Sequence, residues 1–463
     1  MKPDLLPWSC DSFAVSAPHT AYGATVLGKN SDRPARESQP LKWLNSRRGN
    51  TRLQLAYVEI EDVEGSIAHL GSSPYWCWGH EMGLNTHGVA IGNEALFTRD
   101  LAASAAEHRS GAEVQPGILG MELLRIALER AETAHAAVDV MTHLVEQYGQ
   151  WGAGTVNPDR ASAAYDNSYL IADAAEVWIL ETSGHGWVTK KVEDSMWSLS
   201  NEPTIRADWT QCSADLETYA RDRGWWHQPG RLDFAETFTD PHIPLQISHI
   251  RLQRSRQLLA DALKTGPVSF HEARTVLSDH YEGSFLDGPK FNPARPDFHT
   301  LCMHDHPAGF TWGNTATSTI AVLPSAGRPY MWWAAATPCT SVYIPVTPSS
   351  GGLPQNLSRA GVHHASGPNP EAAENDSAAA DSYWWTFQQL LETVTGDTLG
   401  TGYFERQPVV RARFDQLQAQ WLDAVEELTQ ADASEEAWTA LTSRCVDESQ
   451  RTAHELIQQL RTT

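Results

Sequence analysis

The chain has 463 residues, with 34 Lys and Arg against 57 Asp and Glu, for a formal net charge of −23. That acidic excess argues against a nucleic-acid backbone or an anionic membrane surface as partner, and no apolar run approaches the roughly 18 residues that span a bilayer. The length allows a large core and more than one lobe.

The opening "MKPDLLPWSC" lacks the apolar stretch of a secretory signal, so a cytoplasmic protein is expected. Its six cysteines (Cys10, Cys77, Cys212, Cys302, Cys339, Cys445) contain no Cys-x-x-Cys pair and are expected to be reduced. "DSFAVSA" alternates as a strand, residues 18–23 supply a turn, and "ATVLG" returns. Residues 53–60 read as a strand, and "HGVAIGNEAL" as a buried one that carries Asn93 near its end. Residues 117–131 and 134–149 have helical periodicity. Four strands follow at 167–173, 176–182, 186–192 and 196–201, with turns short enough for an antiparallel meander. Helical patterns return at 248–264 and 271–281, and strands at 317–323 and 330–336. Residues 347–382, rich in Gly, Pro, Ser and Ala, read as a flexible linker or loop. In the helices beyond it, Val410, Phe414, Leu417, Trp421, Val425 and Leu428 form one stripe. From Glu371 onward there are 17 acidic and 6 basic residues, which suits a solvated face and leaves this tail a candidate lid or homo-oligomer surface. Antiparallel strands with helices inserted between them predict an α+β layered fold.

Cys10 stands directly before the first strand. A free thiol has a pKa of about 8.5, so near neutrality only a few per cent is thiolate and a base is needed. No histidine is adjacent, and His87, His280, His304 and His306 are candidates only if folding brings them close. The alternative base is an α-amine, with a pKa of about 7.7–8.0, on the nucleophile itself. That solution requires a cut between Ser9 and Cys10 that removes residues 1–9 as a propeptide.

Several blocks, in order, carry a resemblance. They are "CDSF", "GKNSDRP" (28–34), "YWCWGHEMGLNTHGVAIGNEAL" (75–96), "NSYLIADAAEVWILETSGHGWVTKKV" (167–192), "SNEPTI" (200–205), "CMHDHP", and "TPCTSVYIPV" (337–346). Together they resemble peptidase family C69, the dipeptidase and secernin branch of the N-terminal-nucleophile hydrolases. The resemblance implies a four-layer αββα sandwich, placed over residues 10–346 with helical insertions; by composition and periodicity the linker at 347–382 and an added acidic helical region at 383–463 follow it. It implies hydrolysis of small peptides, dipeptides above all, with no metal or organic cofactor. Cys10 falls on the nucleophile and Asp32 on the acid that holds the α-amine. Lys29 stands where more distant relatives carry arginine. Asn201 falls on the oxyanion asparagine, and Asn93 is the candidate for a second amide on that side. Arg33 is a candidate for binding a substrate carboxylate. Two alternatives share the resemblance: hydrolysis of another small amide at the same site, and a secernin-like regulatory protein that binds without turnover.

"CMHDHP" offers metal-ligating types in Cys302, His304, Asp305 and His306, but no second cluster stands at a standard zinc spacing, so no metal is expected.

Overall fold

The computed structural model describes residues 9–462 apart from 50, 157–158, 245–247, 289–290, 308, 312, 350 and 363–369. Of the expected leader, residues 1–8 lie outside the described residues, and Ser9 is buried.

Sixteen strands are formed by the described residues. They are β1 (Cys10–Val15), β2 (Thr25–Pro34), β3 (Leu41–Leu44), β4 (Arg52–Gln54), β5 (Glu59–Glu61), β6 (His69–Ser72), β7 (Met82–Asn85), β8 (Ala90–Leu96), β9 (Asp166–Ala172), β10 (Val177–Ser183), β11 (Gly186–Lys191), β12 (Met196–Leu199), β13 (Gln211–Cys212), β14 (Gly313–Leu323), β15 (Tyr330–Ala335) and β16 (Ile344–Val346). The helices are α1 (Arg99–Arg109), α2 (Gly120–Arg130), α3 (Ala134–Tyr148), α4 (Arg160–Ala163), α5 (Leu216–Asp222), α6 (Phe234–Phe238), α7 (His249–Thr265), α8 (Phe270–Leu277), α9 (Gln355–Ser358), α10 (Tyr383–Thr395), α11 (Tyr403–Gln430) and α12 (Glu435–Thr462).

One sheet has the order β12-β1-β2-β14-β15-β16 and the other β13-β11-β10-β9-β8-β7-β6-β3, both antiparallel throughout. Strand alternation divides the apolar residues between two cores. On β8 to β10, Ala90, Leu170, Ala172, Val177 and Ile179 join the core between the sheets. Their neighbours Ile91, Tyr169, Ile171, Trp178 and Leu180 pack instead with Leu123, Leu124 and Ala127 of α2 and Val138 and Met141 of α3. Residues buried on both faces of a sheet need a helix layer outside it, and α2 and α3 are that layer. The six-stranded sheet is covered by α7, α8 and the C-terminal helices. Trp384, Phe414, Trp421, Trp438 and Cys445 belong to the same core as Trp332 and Trp333 of β15, so the acidic tail supplies an outer layer through its apolar stripe. The four-layer α+β expectation holds.

The structure differs from the sequence reading in several elements. The strand expected at 53–60 is the hairpin β4-β5, turned at Ala56 and Tyr57 so that Leu55 and Ile60 are both buried. The expected fourth strand of the meander, β12, leaves that sheet and pairs with β1, Ser12 opposite Leu199. The edge of β11 is taken by β13, while β1 offers an open edge in the facing sheet. Helix α1 was not anticipated, although Thr98 caps it by accepting from Leu101 N at 3.1 Å. The described part of 347–382 is packed down rather than free: Leu357 is fully buried, Tyr75 Oη donates to Glu374 O, and Trp385 Nε1 donates to Asp376 Oδ2.

Candidate active site

Cys10 opens β1, an inner strand of its sheet, with Ser31 of β2 opposite. Its side chain is 7% exposed. The backbone N–H of Cys10 donates to Asn201 Oδ1 at 2.9 Å. The backbone N–H of Asp32 points at its sulfur, at 3.4 Å. The crossing of β12 explains the first contact: it carries the chain back to β1 and leaves Asn201 beside the head of that strand. In the continuous chain, burial pushes the Cys10 thiol up to about 12, and the Lys29 charge only partly offsets it. A thiol in that state is held neutral and needs a base to react.

Lys29 is fully buried and reaches across to the facing sheet. Its Nζ donates to Asn93 O and lies 3.5 Å from Glu94 Oε1. Burial opposes its charge, but Cys10, Glu94, Glu81 and Asp32 together raise its pKa, so it stays an ammonium. Gly92 makes room for it: a Cβ there would lie 2.5 Å from Lys29 Cδ. Gly92→Ala is therefore expected to cost about 1–3 kcal/mol by overpacking and to lower activity by shifting Lys29. Urea denaturation alongside kcat measurement checks this.

Asp32 Oδ2 accepts from Ser9 Oγ at 2.7 Å and Oδ1 accepts from Thr315 Oγ1 at 2.6 Å. Burial, with Asp11 nearby, lifts its carboxyl to about 7. Asn201 Oδ1 also accepts from Arg251 Nη2 at 2.7 Å, and Asn201 Nδ2 donates to Ala95 O at 3.0 Å. That amide nitrogen carries two hydrogens, and Ala95 takes one.

Arg251 of α7 was missed from sequence. It is fully buried, donates to Cys10 O at 3.1 Å, and is ion-paired with Asp11. It thus grips both sides of the first strand residue, together with Asn201. Nothing in "HIRLQRSRQ" distinguishes this arginine from its neighbours. Only its place in the folded helix does: Arg251 lies on the buried face of α7 with Leu252, Ser255 and Leu259.

Two sequence-stated candidates take other roles. Arg33 is buried, with Nε 2.6 Å from Glu37 Oε1, Nη1 2.9 Å from Glu81 Oε1 and Nη2 2.9 Å from Gly154 O. Its charge is met by the protein's own carboxylates, not held open for a substrate's. Asn93 shares the helix-facing side of β8 with Ile91, and its side-chain amide lies 2.9 Å from the Asn167 amide, with its nitrogen donating to Glu81 O and Oε2 at 2.9 Å. Its side-chain amide is therefore turned from the face that bears Glu94, and its carbonyl is what meets Lys29. The reason is the period of two along β8.

Of the histidines, His87 follows the turn of β7 and His306 donates its backbone N–H to Thr311 Oγ1. Among the described residues, His280 and Cys339 meet Cys302 and His304. They are the second pair of metal-ligating side chains, which linear spacing did not offer.

A cysteine thus heads an inner strand of one of two antiparallel sheets, with an asparagine on its nitrogen. Over residues 65–244 the chain matches the model of peptidase family C69, the family its sequence blocks resemble. Among solved structures it is similar to a variant of conjugated bile acid hydrolase from Clostridium perfringens, at 12% identity over 73% of this chain and 92% of that one, with a TM-score of 0.41. It is similar to penicillin V acylase from Agrobacterium tumefaciens at 15% identity, over 80% and 98%, with a TM-score of 0.39. The Caenorhabditis elegans ortholog of N-acylethanolamine-hydrolyzing acid amidase matches at 11% identity, over 68% and 94%, with a TM-score of 0.33.

Proposed function

We propose that this chain is a cysteine-type amide hydrolase that cleaves dipeptides after removal of residues 1–9. The observation that carries the reading is the hydrogen bond from Cys10 N to Asn201 Oδ1, which grips the nitrogen that the cut would turn into an α-amine. In the uncut chain that nitrogen is an amide and cannot act as a base, so the buried thiol stays latent.

Once freed, the neutral amine takes the thiol proton, and the thiolate adds to the scissile carbonyl. Lys29 favours the thiolate by its charge. Ser9 leaves with the leader, and the Asp32 oxygen it occupied turns to the amine. The second hydrogen of Asn201 Nδ2 and a backbone N–H stabilise the oxyanion, where a single lost donor costs about 10²–10³-fold in rate. The ammonium then protonates the departing amine. Water hydrolyses the thioester, releasing the acid and restoring the thiol. Arg251 acts as a positioning residue through Cys10 O and Asn201 Oδ1.

The test is the N-terminal mass of the purified protein together with turnover of a dipeptide panel and of N-acyl amino acids. A chain starting at Cys10 that cleaves dipeptides and is stopped by thiol reagents is the expected outcome. Preference for N-acyl substrates would move the substrate class to another small amide. An intact leader with no turnover would favour a binding protein, and an intact leader with full turnover would remove the α-amine from the mechanism.

A further inference from the structure

We propose that His280, Cys302, His304 and Cys339 bind one structural zinc ion, independently of the chemistry at Cys10. All four side chains are buried, and one ligand atom from each lies within 4.8 Å of every other. His304 Nε2 is 3.2 Å from His280 Nε2, 3.7 Å from Cys302 Sγ and 3.3 Å from Cys339 Sγ. A tetrahedral ion with Zn–N of about 2.0–2.1 Å and Zn–S of about 2.3 Å sets its ligand atoms about 3.3–3.8 Å apart. The three separations from His304 lie close to that range, the remaining pairs lie within 4.8 Å, and two thiolates with two imidazoles are a donor set that selects zinc.

The surroundings fit the same reading. His280 Nδ1 is 2.9 Å from Glu282 Oε1, so that nitrogen carries the hydrogen and Nε2 turns its lone pair into the cluster. Tyr403 Oη of α11 donates to Cys339 Sγ at 3.4 Å, as a hydroxyl does to a metal-bound thiolate. A cleft of about 480 Å³, lined in part by His280, Glu282, Cys339 and Tyr403, opens beside the ligands and gives an ion a way in. Binding releases the two thiol protons to solvent. Two thiolates then balance the dication, leaving a neutral complex where a lone charge would be costly to bury.

Four protein ligands leave no open position, which makes the role structural. His280 follows α8, Cys302 and His304 precede β14, and Cys339 follows β15. The ion would clamp three segments that are remote in sequence. It also adjoins the shell of Cys10: Met303, between two ligands, exchanges hydrogen bonds with Thr315, whose hydroxyl donates to Asp32.

The test is metal analysis of the full chain purified without added metal. About one zinc per chain is expected, and Co(II) in its place should give intense tetrahedral visible bands with a thiolate charge-transfer band. Cys302→Ala and Cys339→Ala should lose the ion. Cys445→Ala, a buried thiol elsewhere, should keep it. Tyr403→Phe should weaken binding about 10-fold. Should the cysteine variants fail to fold, zinc uptake by the chelator-stripped wild type is read by competition against a chromogenic chelator. Wild-type protein that neither carries nor takes up zinc overturns the proposal. So does a Cys302–Cys339 disulfide in mapped peptides, or a folded Cys339→Ala chain that retains its ion.

Discussion

Cys10→Ala is expected to reduce dipeptide turnover at least about 10⁴-fold, because removing a nucleophile leaves only binding and oxyanion stabilisation. The fold should survive. Among the described contacts of the sulfur is one weak hydrogen bond, from Asp32 N, and the strand pairing of Cys10 runs through its backbone. The lost sulfur leaves a small cavity, and thermal unfolding should shift by no more than a small-side-chain deletion does. A second readout separates a nucleophile from a buried structural thiol. If Cys10 also performs the cut before itself, the alanine variant should keep residues 1–9 while the wild type loses them. Cys212→Ser, at a half-buried thiol on the edge strand β13, should match wild type in both assays. An alanine variant with wild-type kcat would end the proposed mechanism.

How much of this site could be read from sequence depends on whether its residues are neighbours in a pattern. Phe13, Val26 and Leu27 mark β1 and β2 by composition and turn chemistry, and the blocks around them brought Cys10, Lys29, Asp32 and Asn201 into view. The face of a residue was less accessible. Asn93 lies in the right strand, but its amide follows Ile91 toward α2, and only the register of β8 between β7 and β9 fixes that. Arg33 sits beside Asp32 in sequence, yet alternation and the nearby Glu37 and Glu81 turn it into a buried ion pair. Long-range contacts were out of reach altogether. Arg251 meets Cys10 across 241 residues, and Cys339 meets His304 across 35, through a sheet order that no periodicity specifies. The crossing of β12 is of the same kind: its strand pattern was legible, but which edge it would join depended on β13 having taken the other.

Arg251→Met is expected to destabilise the protein by about 3–5 kcal/mol, the usual result of breaking a buried ion pair from one side. Asp11 would be left in the core without its cation. Burial already lifts Asp11 to about 6 against the pull of Arg251. A carboxyl whose folded pKa is raised is stabilising while protonated, and that contribution is lost as pH rises through the folded value. Removing the arginine raises the folded pKa of Asp11 further. The gap in stability between variant and wild type should therefore be small at pH 5 and widen as pH rises above about 6. Asp11→Asn combined with Arg251→Met removes both charges and should recover most of the lost stability, because no buried ion remains unpaired. Activity should not recover with it. Asn201 Oδ1 loses one of its two donors in either variant and no longer has a fixed plane on which to hold the Cys10 nitrogen. Misplacement of that kind costs about 10²-fold in rate, and it should appear in kcat with KM little changed, since Arg251 contacts the nucleophile's own backbone. A double variant that regains stability and full kcat together would reduce Arg251 to a counter-ion for Asp11. One that stays as unstable as Arg251→Met alone would mean that the hydrogen bonds to Cys10 O and Asn201, not the ion pair, are what this arginine contributes to the fold.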